Sequence, residues 1–356
     1  MGQSDSRPLV SVIVVNHNRA DLLRGCLDSL VAQTYPCFEI LVVDNGSTDA
    51  SRDLVAGYPD SRIRLIKLEK NLGFGVPNNI GIKQARGTLI ALLNNDAVAD
   101  SAWLQRLVEC LTSHADLGMC ASKILVYGTR VIDKAGHLMY PDGQNRGRGT
   151  GEIDDGQFDR PEEALFPDGC AALYRRQALE ETGGFDPHFF AYADDADLGI
   201  RCLLKGWKCL YEPRAIVHHR HSSTSGPYSE NKIYLVERNR FWLAVKSFPW
   251  PLLVVSPVLT LNRWVWNLLA AVSRRGAAGN FRHQSSLVGL LRILWRAYRD
   301  GFRGLPVMLK ARREIRRNRR LTDRELYSLL WRFRISARRL AMQDISPEAR
   351  TMAQKR

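Results

Sequence analysis

The chain has no CxxC pair. Its seven cysteines (Cys26, Cys37, Cys110, Cys120, Cys170, Cys202, Cys209) are scattered, which fits neither a zinc site nor a disulfide framework. A reducing cytoplasm is the compartment expected for such usage. The opening MGQSDSRPLV lacks a basic stretch followed by an apolar one, so no secretory signal is visible. Neither a Walker lysine loop nor a GxGxxG fingerprint occurs, which removes two common phosphate cradles. No internal repeat is evident, and no uncharged run reaches the ~20 residues needed to cross a bilayer. The longest, Ser247–Asn262, has 16 residues and contains three prolines. Acidic residues are missing altogether between Glu237 and Asp300.

That last gap reveals a division. From Glu230 onward, 27 Lys+Arg stand against 8 Asp+Glu, a surplus of 19. Within a total of +14, residues 1–229 therefore carry −5. A mildly acidic body is joined to a basic tail, which implies two different tasks. The Ser/Gly/Pro stretch at 222–227 marks the change, giving a body over 1–226 and a tail over 227–356.

The body opens with alternating strand and helix patterns. Val10–Asn16 is a β-branched run of the kind found in strands covered on both faces. A helix is predicted over Asp21–Gln33, and strands over Phe38–Val43, Ile63–Leu68 and Thr88–Leu93. This repetition predicts an α/β fold with a mostly parallel sheet between helices. Ligands of such sheets sit beyond the carboxyl ends of the strands. Those ends carry Asn16, Asp44-Asn45-Gly46-Ser47 and Asn94-Asn95-Asp96. The turn Asn71–Asn79 adds Gly73, with its backbone freedom, and the amides of Asn71 and Asn78. Residues 141–160, rich in Gly, Asp and Arg, read as a long surface loop and candidate lid. Arg146, Arg148 and Arg160 lie in it, open to solvent or to an acceptor phosphate.

Asp194, Asp195 and Asp197 follow directly on Phe189, Phe190 and Tyr192. Carboxylates beside aromatic rings need a cation, a proton donor or a metal, because desolvating them is costly. A helix start is the alternative, since Asp is favoured there. The aromatics either wall a site or pack the core.

Taken in order, VSVIVVNHN, VVDNGSTD, NLGFGVPNN, LLNNDAV, GGFDPHFFAYADDADLGIRCLLKGW and AIVHH resemble the family 2 glycosyltransferases of GT-A fold over about residues 9–222. The nearest resemblance is to bacterial rhamnosyltransferase-like members that build surface polysaccharides. It implies an inverting, metal-dependent transferase at the inner face of the cytoplasmic membrane, using Mg²⁺ or Mn²⁺. The donor implied is L-rhamnose on thymidine diphosphate, with galactofuranose, glucose or N-acetylglucosamine on uridine diphosphate as the alternative. The acceptor is a polysaccharide or a polyprenyl-linked glycan. Asp195 takes the place of the catalytic base, with Asp194 positioning acceptor or metal. Asp44 contacts the base of the nucleotide, with Asn16, Asn45 and Ser47 beside it and Asn71, Gly73, Asn78, Asn94 and Asn95 completing the nucleotide-sugar site. Asp96 is the metal-binding acid of a DxD-type motif whose first acid is replaced here by Asn94. His218 is a further metal or diphosphate ligand, with His219 as the alternative. Asp197 is assigned to the helix start. Of other classes, a sugar nucleotidyltransferase lacks its Gly-rich basic loop here, where the chain reads NHNRAD, and a non-catalytic binding protein leaves the acids unexplained.

In the tail, Trp250, Trp264 and Trp266 are interleaved with Arg263 and aliphatic residues. That mixture suits helices lying in a membrane interface, drawn to anionic lipid by Leu287–Arg303 and Lys310–Arg320. A single span over Phe248–Val272 is the alternative. Nucleic acid is the less favoured partner, because Trp and Leu serve a bilayer better than a phosphate backbone.

Overall fold

Twelve strands and several helices make up the described residues, 7–220, 229–273 and 287–342 of the computed structural model. The strands are Val10–Asn16 (β1), Phe38–Asn45 (β2), Ile63–Leu68 (β3), Leu89–Leu93 (β4), Ala97–Ala99 (β5), Leu117–Val126 (β6), Ile132–Ala135 (β7), His137–Met139 (β8), Asn145–Gly147 (β9), Glu162–Ala164 (β10), Ala171–Arg175 (β11) and Lys208–His219 (β12). The main sheet runs β10-β12-β6-β11-β4-β1-β2-β3. Its β4-β1-β2-β3 half is parallel, whereas β11 runs antiparallel to both β4 and β6. The period-two alternation divides each strand between two cores. Val10, Val12 and Val14 pack with Leu23, Leu27 and Trp103 on one face, while Ile13, Leu41 and Val43 face the other. Helices Ala20–Val31 (α1) and Trp103–Thr112 (α4) cover the first face. Between them in the chain lie Ser51–Ala56 (α2) and Gly75–Gln84 (α3). The second face is closed by α3, by Arg176–Thr182 (α5), Asp194–Leu204 (α6) and Glu230–Ser247 (α7). All seven cysteines are free.

The antiparallel pairing of β5 with the end of β12 brings His219 opposite Ala97 and His218 opposite Val98. Earlier in β12, Glu212 pairs with Ser122 but the next paired residue, Ile216, pairs with Lys123, so residues 213–215 bulge out of the ladder. Residues 141–160 are bound to the body rather than forming a free lid. β9 pairs with β8, Ile153 bridges Val131, and Arg148 bonds to Glu162 and the Ala135 carbonyl. Arg146 donates to the Leu340 carbonyl. Neither arginine is a free surface group.

The basic tail is packed on the body. Helix α7 is followed by Trp250–Val272 (α8), Leu287–Arg303 (α9), Leu305–Arg317 (α10), Asp323–Arg332 (α11) and Ala337–Met342 (α12). The boundary expected at 226/227 lies outside the described residues. Helix α8 runs through Pro257 and Arg263 for 23 residues, long and apolar enough to cross a membrane. One of its faces, however, is fixed to the body by charge. The Arg263 guanidinium is buried and bonds Asp142 (2.8 Å) and both oxygens of Glu237 (2.8 and 3.0 Å). Arg240 joins the same enclosed group through Glu237 (2.8 Å) and Tyr298. Burial would raise the Glu237 carboxyl, but Arg240 and Arg263 hold it down at about 2.

Removing one member of a buried ion group strands its partners. We expect Arg263→Ala to lower unfolding free energy by about 3–5 kcal/mol. Arg332→Ala, which breaks the exposed pair with Glu163, should cost under about 1 kcal/mol. Urea denaturation of the two variants checks the contrast.

Candidate active site

The ends of β1, β2 and β4 converge into one hydrogen-bonded group. Asn16 is fully buried, donates to Ser47 Oγ (3.3 Å) and accepts from Asn95 Nδ2 (2.7 Å). Ser47 Oγ also accepts from the Asn18 backbone (2.8 Å). Asp44, buried too, accepts from Arg52 (2.6 Å) and the Ser47 backbone (3.3 Å) through one oxygen. Its other oxygen is enclosed and has no hydrogen-bond partner. A buried acceptor left open is costly in isolation and suited to a ligand N–H.

The neighbouring amides differ from the sequence expectation, because they build the turn. Asn45 donates to Gly73 O (2.8 Å) and Asn71 Oδ1 (3.1 Å) and accepts from the Leu72 backbone (2.8 Å). Asn71 also accepts from Gly73 N, and Asn78 donates back to Phe74 O (2.9 Å). Gly73 has φ +84°, and a Cβ there would clash with the Phe190 carbonyl oxygen. The turn thus rests directly on the loop before α6. Asn94, half-buried, receives a backbone hydrogen bond from Ala97 and donates one to Cys170 O.

Strand alternation separates the two histidines. His219 is buried, with Nε2 facing Asp96 Oδ1 (3.2 Å) and Nδ1 on Asp133 Oδ2 (2.9 Å). His218 points the other way, 30% exposed, toward Asp100 (3.3 Å). Burial works against a charged His219, but Cys170, Asp133 and Asp96 outweigh it and hold the imidazole well above its ordinary range.

The three acids around the start of α6 part company. Asp197 is wholly buried in a salt bridge to Arg201 (2.8 Å) and to Lys246 of α7 (2.7 Å), so it is structural. Asp195 accepts from the backbones of Ala196 (2.7 Å) and Gly169 (3.3 Å). One ligand atom each from Asp195, Asp168 and His137 lies within 4.8 Å of the others. Asp168 is engaged by Lys134 Nζ (2.6 Å) and His137 Nε2 (2.9 Å), which overcome its burial and keep it ionised. Asp194 is buried, with one oxygen unpartnered. Burial first, and the charge of Asp195 second, push its carboxyl up to about 8. Asp195 is raised as well, by burial and then by Asp168. Two adjacent carboxyls of this kind titrate as a pair. The chain reaches them through left-handed residues, Phe190, Tyr192 and Ala193. Phe189 is core, Phe190 is 42% exposed and Tyr192 is half-buried.

Lys134, His137, Asp133 and Asp168 escaped sequence reasoning. They come from β7, β8 and the approach to β11, with no mutual spacing to connect them. The only local signal is charge inside otherwise buried segments. A cavity of about 340 Å³ between α5, α6 and α10 contains none of the paired acids.

Residues 11–183 match the model of glycosyl transferase family 2. The chain is 33% identical to the O-antigen biosynthesis protein RfbC of Myxococcus xanthus over 270 residues, 72% of this chain and 20% of that protein. It is 30% identical to the uncharacterized glycosyltransferase alr2836 of Nostoc over 234 residues, 63% of this chain and 70% of the relative. The chain spans only a fifth to a third of the length of several other curated relatives it matches. Among solved structures, the mannosyltransferase PcManGT of Pyrobaculum calidifontis, in complex with GDP-Man and Mn²⁺, aligns at TM-score 0.53 and 20% identity, covering 87% of this chain and 86% of that one. The likeness is one of fold, GT-A.

The raised Asp194 gives a pH dependence with a definite sign. Between the carboxyl's unfolded pKa of about 4 and its folded value of about 8, the native state keeps a proton that the unfolded chain releases. Stability of the metal-free protein should therefore fall as pH rises through that window. Asp194→Asn should flatten the fall. Unfolding midpoints at pH 5 and pH 8.5 check it, and an unchanged slope would count against the shift.

Proposed function

The chain belongs to glycosyl transferase family 2, and from that membership we propose that it moves a sugar from a nucleoside diphosphate onto a hydroxyl of an envelope polysaccharide or polyprenyl-linked glycan, with inversion. The observation that carries this reading is the Asp194–Asp195 pair at the start of α6. In the pair, Asp194 is the carboxyl burial keeps neutral, and Asp195 keeps an oxygen toward the His137–Asp168 group. Asp195 takes the proton of the acceptor hydroxyl as that oxygen attacks the anomeric carbon. Its raised pKa makes it a stronger base than a solvated carboxylate. Lys134 pairs with Asp168 beside the base, which tempers without removing the repulsion that Asp168 exerts on it.

The open oxygen of Asp44 is an acceptor for the imide N–H of thymine or uracil. Thymidine diphosphate L-rhamnose is the donor we put first, and the uridine diphosphate sugars second, since both bases offer that N–H. The residues also fit a divalent ion, Mg²⁺ or Mn²⁺. Adjacent ligand atoms around an octahedral ion with bonds of about 2.1 Å lie about 3 Å apart. Asp96 Oδ1 and His219 Nε2 are 3.2 Å apart. Asp133 holds Nδ1 of the same ring, the outer carboxylate that orients a ligating histidine. His219, rather than His218, is therefore our ligand. The His137–Asp168–Asp195 group is the less suitable holder, because Lys134 already supplies its cation. A bound ion would stabilise charge on the departing diphosphate.

For the tail we propose contact with the inner face of the cytoplasmic membrane. Helix α8 turns Val254 (73% exposed), Val258 (70%), Leu261, Val265, Leu268 and Val272 outward, away from its buried Arg263 face. Helix α9 exposes Val288, Leu291 and Trp295 beside exposed Arg292 and Arg296. A helix tied to the body along one face by Arg263 lies in the interface rather than across the bilayer.

With a panel of nucleotide sugars, purified protein should release nucleoside diphosphate only when Mg²⁺ or Mn²⁺ is present. Asp195→Asn should lower turnover by about 10²–10⁴-fold while donor binding persists. Undiminished turnover would remove Asp195 as base. The 356-residue chain should float with anionic vesicles, less so as salt rises. Val258→Glu with Val265→Glu should leave it in the pellet fraction, and unaltered flotation of that variant would exclude the α8 face.

A further inference from the structure

The loop carrying the paired acids is held in an unfavourable backbone conformation by a residue of the tail. Phe190, Tyr192 and Ala193 have φ of 65°, 67° and 58°. None is glycine, so each costs conformational energy that the surroundings must offset. The offset comes from α7. Asn239, fully buried, donates from Nδ2 to the carbonyls of Phe189 (2.9 Å), Ala191 (2.8 Å) and Tyr192 (2.8 Å). Its own oxygen accepts from Arg238 Nε (2.9 Å), which fixes the amide the right way round. Arg238 in turn donates to Phe189 O (3.0 Å) and lies over the Trp242 ring. About two turns further along α7, Lys246 grips Asp186 (2.5 Å) before the loop and Asp197 (2.7 Å) after it. On the opposite side, Phe190 O accepts from Phe74 N (2.6 Å), next to the Gly73 turn.

We propose that Asn239 is a positioning residue for the Asp194–Asp195 pair. Its three-carbonyl clamp holds Phe190, Tyr192 and Ala193 left-handed, so that α6 begins with both acids aimed at the site. The proposal rests on the reading of Asp195 as base. Asn239 touches no reacting atom and acts only through the loop.

The test uses the full chain. Asn239→Ala should lower kcat by about 10- to 100-fold, the scale of a misplaced catalytic group, with the donor KM nearly unchanged. Hydrogen exchange should quicken across residues 186–197 while the strands β1, β2 and β4 stay protected. Glycine reaches positive φ without penalty, so adding Ala193→Gly to Asn239→Ala should recover kcat by about threefold or more. Wild-type kcat in Asn239→Ala, unchanged exchange in 186–197, or no recovery on adding the glycine would each overturn the clamp. So would exchange raised evenly over the whole sheet, the mark of a merely structural loss. Asp195→Asn is run alongside. If it remains active, the base assignment fails, and exchange alone then judges the clamp. If it is dead while Asn239→Ala is normal, the clamp alone fails.

Discussion

Arg263 is enclosed near the middle of an apolar helix, and it is kept there by Asp142 and Glu237. A guanidinium removed from water is tolerable only when carboxylates surround it, so the pairing dictates where α8 lies. The same logic recurs at Lys246, buried against Asp186 and Asp197. Between them these ion groups join the C-terminal helices to the α/β body and set the position of α7. Since α7 also carries Asn239, which donates to three carbonyls of the acid-bearing loop, the helix that touches that loop is itself placed by these buried charges.

Much of the first half of the fold was legible. Strands β1 and β3 occupy the predicted residues, and β2 and β4 differ only at their ends. Their apolar runs leave little choice of conformation, and the polar residues after them mark the ligand end of the sheet. The division into an acidic body and basic tail was legible as charge but not as structure. Composition counts Arg240, Arg263 and Lys246 with the basic surface, whereas each is a buried partner of a body carboxylate.

The candidate site stood out in part. Asp44, Asp96, Asp194 and Asp195 draw attention in the sequence because each closes a strand or opens a helix. Asn45 and Asn71 carry the same polar signal yet are used up on each other and on the Gly73 turn. A sequence shows which groups can hydrogen-bond, not which protein partner reaches them first. Lys134, His137 and Asp168 are joined only by the folding of β7 and β8 against the segment before β11. Nothing periodic links them.

The choice between His218 and His219 has a consequence for how this chain tolerates change in length. Residues 213–215 stand outside the ladder between β12 and β6, an odd number of extra positions. A one-residue slip of register exchanges the two faces of a strand. A change of length that slipped the paired end of β12 by one would therefore present the neighbouring histidine to Asp96 and turn Val217 out of its core, whereas one taken up within the bulge would leave both in place. The bulge itself has fixed tasks: Ala215 is buried in the same core as Val217, Arg214 pairs with Glu212, and a proline at 213 suits an unpaired position.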